Sequence, residues 1–488
     1  MKLRLALATA TAMGVLMGAA FAGENNISYI TQTGAANSAS IAQSGSNNVA
    51  GPASDAMLQN GNSNELTVLQ SGSSNNLGTP VNGQGVGVEQ TGNTNKASIT
   101  QSSNFNTVNQ VIQTTNAGVV SSLPNANELT ITQSGGNSNT VNRARQIASV
   151  NGAGANKATI TQTGTGNLVG QGNNAGHGLN QEGGTNTALI TQSSSNNRLE
   201  MLNQYGQSNT VSVTQGSNGN NNAIYSVYQR SSSATNGNWA NVAQSGGQNF
   251  IDYVRQDSSL AASGNDAFIT IAGNGNGNGN PGNTLWGSTA ASASGARANT
   301  FDQNGGANLL NFTITASGTQ NMFGITQYGT NNQADGVEIA GSGNYLGIYQ
   351  DGDSNSFNLS TISGNDNQLG LRQLGEDNFA RISISGNGNG AAFTSGPALI
   401  VANNASLTSG LIVQDNSPLS GLNLGNNVDL TISTDFNAFA LKQDGDNNSI
   451  TGTIGGGNSN QVAVVQAGND NVSSFIQNGA GNSLGISQ

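Results

Sequence analysis

From residue 25 onward the chain alternates apolar and polar positions with period two in short runs, and each run ends on Gln and is followed by Gly and then Asn. In "NNISYITQTGAANSASIAQSGSNN", Asn26, Ile30, Gln32 and Gly34 return eleven positions later as Asn37, Ile41, Gln43 and Gly45. Asn48 then opens a further copy. Period two places Asn, two apolar residues and Gln on one side of a β-strand, with Thr, Ser and other small polar residues on the other. The x-Gly-x-x-Asn that follows reads as a turn, because Gly takes φ > 0 at no steric cost and Asn bonds its own backbone. Each unit of eleven residues is therefore a strand and a tight turn.

Further copies stand at 64–75, 156–167, 238–249, 321–332, 344–355, 367–378, 437–448, 460–471 and 471–482. They place Gln70, Gln162, Gln244, Gln327, Gln350, Gln373, Gln443, Gln466 and Gln477 in the same slot, and Gln488 ends the chain there. The inward apolar positions are Ile30, Ile41, Val68, Ile160, Val242, Ile325, Ile348, Leu371, Leu441, Val464 and Phe475.

One unit cannot stand alone. Ordering the backbone of two units costs roughly 20–40 kcal/mol at about 1–2 per residue. Four buried aliphatic side chains return at most about 10 kcal/mol. Hydrogen bonds to units above and below must supply the difference, which predicts an all-β repetitive β-solenoid. Its coils are strand, turn, strand and turn, of about 22 residues, stacked about 4.8 Å apart. Gln then lies over Gln and Asn over Asn, as in the amide ladders of cross-β assemblies. In the C-terminal third the Gln slot alternates with Ile: Gln327, Ile339, Gln350, Ile362, Gln373, Ile384, and again Gln443, Ile454, Gln466. Two distinct strands per coil explain that alternation.

These patterns divide the chain into a leader (1–22), a repeat array (23–272), a Gly/Asn/Ser-rich insertion (273–297), more repeats (298–389), an irregular insertion (390–425) and C-terminal repeats (426–488). Smaller breaks fall near 76–85, 114–126 and 170–178. All are read as surface loops or joints.

Composition narrows the function. Charged residues make up 8 % of the chain, against about 25 % in ordinary domains. The net charge of −11 is scattered without a basic stripe, which argues against nucleic acid. With no cysteine there is no disulfide and no thiolate metal site. "MKLRLALATATAMGVLMGAAFAG" carries Lys2 and Arg4, an apolar run, and Ala20-Phe21-Ala22 as a small-x-small cleavage site, so it reads as a secretory signal peptide cut near Ala22. The apolar run is shorter than the ~20 residues of a membrane span, and no later segment is long enough.

Catalytic chemistry has little material. His177 is the lone histidine and sits in a Gly-rich break, so the chain reads as a non-enzyme without cofactor or metal. The turns holding Asp351, Asp353, Glu376, Asp377, Asp444 and Asp446 offer oxygen ligands for calcium. Most units have Ser or Thr there instead, which favours acidic turns that keep the array soluble. The "GNGNGNG" run lacks the Lys-Ser/Thr of a phosphate loop. Tyr29, Tyr205, Tyr228, Tyr328 and Tyr349 lie in or beside strands and read as packing residues. Outward threonines occur in "ITQTG" and "LTITQ" without forming two regular files, which leaves an ice-binding solenoid as a third and weaker reading.

The spacing Asn26-x5-Gln32-x-Gly34-x2-Asn37-x-Ala39-x3-Gln43 resembles the curlin repeat of bacterial curli fibre subunits. Residues 460–477, with Ser473 in the Ala slot, and 471–488, with Leu484 there, resemble it as well, and half-matches cover most of the chain after residue 25. The resemblance implies a secreted, extracellular functional amyloid that leaves through an outer-membrane pore and forms, or nucleates, fibres with itself or other curlin-type subunits. Such fibres serve adhesion and biofilm formation. The final strand, of full repeat quality, reads as an uncapped edge, and removing 482–488 is expected to slow elongation. The competing reading is a monomeric secreted adhesin or polysaccharide-binding solenoid with the insertions as binding loops.

Overall fold

The computed structural model describes residues 16–17, 23–78, 87–116, 127–149, 155–170, 178–216, 219–258, 263–277, 288–315, 317–358, 360–416 and 424–488. Ala20, Ala22 and His177 lie outside them. The chain is a parallel β-solenoid whose Cα atoms fall into two compact units, Met1–Ala243 and Gln244–Gln488.

In the first unit each coil gives one strand to each of two sheets. Sheet 1 stacks Ser38–Gln43, Glu65–Gln70, Asn95–Gln101, Asn127–Gln133, Asn156–Gln162, Thr187–Gln192 and Thr210–Gln215, parallel and in register. Leu16–Met17 pairs with the other side of Ser38–Gln43. Sheet 2 stacks Ile30–Thr33, Met57–Asn60, Val88–Thr91, Thr107–Thr115, Thr140–Ala148, Leu179–Gly184, Leu202–Gln207 and Val227–Ser231. Burial follows the alternation in the sequence: Asn95, Ala97, Ile99 and Gln101 are buried, while Lys96, Ser98 and Thr100 between them reach the surface.

Coil length varies mainly because the longer insertions leave at two places. One is the middle of the sheet 2 strand, between Ala50 and Met57, Leu77 and Val88, and Val169 and Leu179. The other is the turn from sheet 2 to sheet 1, between Thr115 and Asn127 and between Ala148 and Asn156. Thus Gln59 follows Gln32 by 27 residues and Gln146 follows Gln113 by 33, although each pair occupies adjacent rungs. Sheet 1 is never interrupted in this unit; Asn-x5-Gln holds from Asn37 to Gln215.

The first outward column of sheet 1 alternates in sign. Glu65, Lys96, Glu128 and Lys157 stand in successive rungs, and Lys96 bonds Glu65 at 3.3 Å and Lys157 bonds Glu128 at 3.5 Å. Both pairs are solvent-exposed, so each contributes below about 1 kcal/mol. Lys96→Glu would set three carboxylates in a row about 4.8 Å apart. The expected loss in the first unit's urea midpoint is about 1 kcal/mol at low salt, fading as ionic strength rises.

The second unit repeats the plan. Its sheet 2 runs from Val254–Ser258 through Phe301–Gly306, Met322–Thr330, Tyr345–Asp351, Gln368–Leu374, Leu411–Asp415, Ala438–Asp444 and Gln461–Ala467 to Ser483–Ser487. Phe301, Phe312 and Phe323 pack together in its core with ring centroids 5.1 to 5.3 Å apart. The two long insertions, both leaving from the middle of a sheet 2 strand, each carry a helix: α1 (Thr289–Ala293) and α2 (Gly396–Asn404). Both helices lie on the outer face of sheet 2 over small residues. A Cβ on Gly370 would stand 2.1 Å from the Ala290 carbonyl oxygen, and one on Gly485 2.5 Å from that of Pro397. The described parts of these insertions are therefore packed structure, not loops or joints.

Candidate functional site

The Gln that closes each strand points inward and bonds its counterparts above and below. In sheet 2 of the first unit, each Nε2 donates to the next Oε1 from Gln32 through Gln59, Gln90, Gln113, Gln146, Gln181 and Gln204 to Gln229. Sheet 1 of that unit runs the same way from Gln43 through Gln70, Gln101, Gln133, Gln162 and Gln192 to Gln215. In the second unit the sheet 2 ladder joins Gln256, Gln303, Gln327, Gln350, Gln373, Gln414, Gln443, Gln466 and Gln488. Most of these amides also bond across the coil. Gln350 Nε2 reaches the carbonyls of Gln333 and Asn355 besides Gln373 Oε1, so a buried amide meets its partners in full.

Sheet 1 of the second unit departs from this. Its slot holds Ile271, Ile314, Ile339, Ile362, Ile384, Ile432 and Ile454, all buried, and returns to Gln only at Gln477. Ile454 beneath offers no donor, and among the described residues the Gln477 Oε1 has no partner. Gln244 is buried in the same slot position of its strand.

The turn Asn forms a second ladder of opposite polarity. Asn64 donates its backbone N–H and its Nδ2–H to Asn37 Oδ1, and Nδ2 also donates to the Gly92 carbonyl. Asn37 Nδ2 bonds the Thr33 carbonyl four residues back and the Gly61 carbonyl of the next rung. Gly34, at φ 103, would drive a Cβ to 2.0 Å from the Gly61 oxygen, so only glycine fits. The residue just before the Asn is left-handed too: Ala36, Ser63, Ser74, Phe105 and Asp377 have φ of 55 to 58°. Each costs about 1–2 kcal/mol, and the bonds of the flanking Asn to two rungs hold it in place. This device carried no composition signal, since nearly any side chain occupies the position.

Of the inward apolar positions, Val68, Ile160, Val242, Ile325, Ile348, Leu371, Leu441, Val464 and Phe475 are buried, while Ile30 and Ile41 are partly so. The Phe475 ring fills the space left by Gly452 in the rung below. Among the acidic turns, Asp353 Oδ1 accepts from the Thr330 N–H and hydroxyl at 2.8 Å each, tying rung to rung.

Four of these tyrosines pack between rungs on the outer face of sheet 2: Tyr205 tilted against Tyr228 with centroids 5.7 Å apart, and Tyr328 edge-to-face with Tyr349 at 5.9 Å. Tyr349 Oη donates to Asp351, and burial first, then that bond, push its pKa up to about 12. The fold holds the protonated phenol, so this contribution is whole below about pH 10 and is lost as pH rises towards 12. The urea midpoint of the second unit is expected to fall across that window, less steeply in Tyr349→Phe.

Residues 61–102 match the family model for the Curlin associated repeat, and the chain carries that repeat there. The match spans Glu65–Gln70 and Asn95–Gln101, two adjacent rungs of sheet 1. Comparison with the curated proteins gives no match. Among the described residues no helix is long and apolar enough to cross a membrane, which says nothing of strands.

Proposed function

We propose that this is a secreted structural protein of curlin type that adds, rung on rung, to further copies or to other curlin-type chains, forming or nucleating extracellular amyloid fibres for adhesion and biofilm matrix. The observation that supports it is the pair of amide ladders. Each rung donates through Gln in one direction along the axis and through Asn in the other, so a strand pair of the same repeat from another chain continues both ladders without new chemistry. Parallel strands in register with stacked amides are the bonding of cross-β assemblies. Export through an outer-membrane pore follows from the same reading, and the mature product is extracellular.

The test is thioflavin fluorescence with electron microscopy on the chain from Gly23 onward. Fibres that seed fresh protein are expected. A folded monomer that stays soluble when seeded sinks the reading. It would favour a monomeric adhesin, whose binding elements would be the insertions that carry α1 and α2.

A further inference from the structure

The threonines that look irregular in the sequence are regular in space, which corrects the expectation drawn from "ITQTG" and "LTITQ" that they form no regular files. Insertions of different length separate the copies, but none enters a sheet 1 strand of this unit, and the parallel register of sheet 1 realigns what lies between. Thr100, Thr132, Thr161, Thr191 and Thr214 are Cα partners in successive rungs. Two residues earlier along each strand, Thr67, Ser98, Thr130 and Thr159 form a second file. Two residues later Ser102, Ser134 and Thr163 continue the pattern, with their backbone N–H groups bonded to Gln133, Gln162 and Gln192 of the next rung.

We infer that this outer face of sheet 1 in the first unit binds ice. The files repeat at about 4.8 Å along the axis and about 6.7 Å along the strand. Ice faces present rectangular arrays of oxygen sites at closely similar repeats. The β-branched Thr side chain is stiff at χ1, so each rung holds hydroxyl and methyl in the same place as the last. A rigid array loses little entropy on ordering water over it. Among the described residues the hydroxyls of the Thr100 file make no bond to another protein group and remain free for water. Neither file carries a charge, and the Glu65–Lys96 and Glu128–Lys157 pairs at its flank neutralise one another.

A crystalline polysaccharide is the competing lattice. Its flat sugar rings are met by stacked aromatic side chains, and no position in the files holds one. In the second unit only one of the two files persists and it is broken by a charge: Thr270, Thr313, Thr361, Thr431 and Thr453 share their column with Glu338, while the column two residues earlier holds Arg381 and Asp429, paired at 2.7 Å.

The inference is independent of fibre formation and is tested on the purified chain by inhibition of ice recrystallisation and by shaping of single ice crystals. Activity at micromolar protein is expected. Thr132→Lys with Thr161→Lys, both outward, is expected to require at least about tenfold more protein for the same inhibition, with an unchanged circular dichroism spectrum. Thr453→Lys, outward in the second unit, should leave activity intact. A folded chain without effect on ice, or full activity in the double variant, overturns the inference. So does binding to crystalline chitin or cellulose, without any effect on ice, that the double variant abolishes.

Discussion

Gln350→Leu is expected to destabilise the second unit by about 3–4 kcal/mol, read as a shift in its urea midpoint. The substitution nearly preserves volume, so the cost is polar. Gln373 Oε1 loses its donor, Gln327 Nε2 loses its acceptor at 2.8 Å and keeps only the Leu309 carbonyl at 3.2 Å, and the carbonyls of Gln333 and Asn355 lose an amide. A buried polar group left without a partner costs about 1–3 kcal/mol. Gln477→Leu makes the contrast. Gln477 stands on Ile454 and donates to the Gln461 carbonyl, while its Oε1 has no partner. Its replacement extends the Ile file, and a change below about 1 kcal/mol is expected. Equal losses in the two variants would show that side-chain volume, not the ladder, sets stability at this slot.

Asn344→Ala should cost a similar amount and act more locally. The side chain accepts from the Asn367 N–H at 2.9 Å and from its Nδ2 at 3.1 Å, and donates to Asn321 Oδ1 and to the Gly364 carbonyl. Without it the buried Asn367 N–H has lost its acceptor, and the left-handed turn ending at Gly343, φ 68, has lost its brace. A loss of about 3 kcal/mol is expected, with the Asn367 amide among the groups whose hydrogen exchange accelerates most. Asn344→Asp keeps the acceptor but buries a charge with no cation beside it, so its loss should be at least as large. Protection at Asn367 that survives both substitutions would contradict the assigned bonding.

The sheet 1 rungs were legible because nothing interrupts them. Asn-x5-Gln followed by Gly and Asn carries strand, inward face and turn in one run of sequence, and Val68 and Ile160 fall inward as the alternation requires. Sheet 2 was harder. Its insertions enter the strand itself, as between Ala50 and Met57, or the turn after it, as between Thr115 and Asn127, so Gln59 and Gln90 stand far from the Asn before them and Gln113 and Gln146 far from the Asn after them. Their ladder emerges only in three dimensions. The threonine files were hidden for the same reason: unequal coil lengths scramble the order that parallel register restores. The packing of α1 and α2 on Gly370 and Gly485 had no period to betray it, only small residues at an outward position.

X-ray fibre diffraction from aligned assemblies of the chain from Gly23 onward tests the central claim most directly. The ladders predict a sharp meridional reflection at about 4.7–4.8 Å and an equatorial one near 10 Å, with strands across the fibre axis. A chain that folds but yields no ordered assembly under seeding, or assemblies without the meridional spacing, would contradict the account that rungs of different chains continue one another's amide ladders.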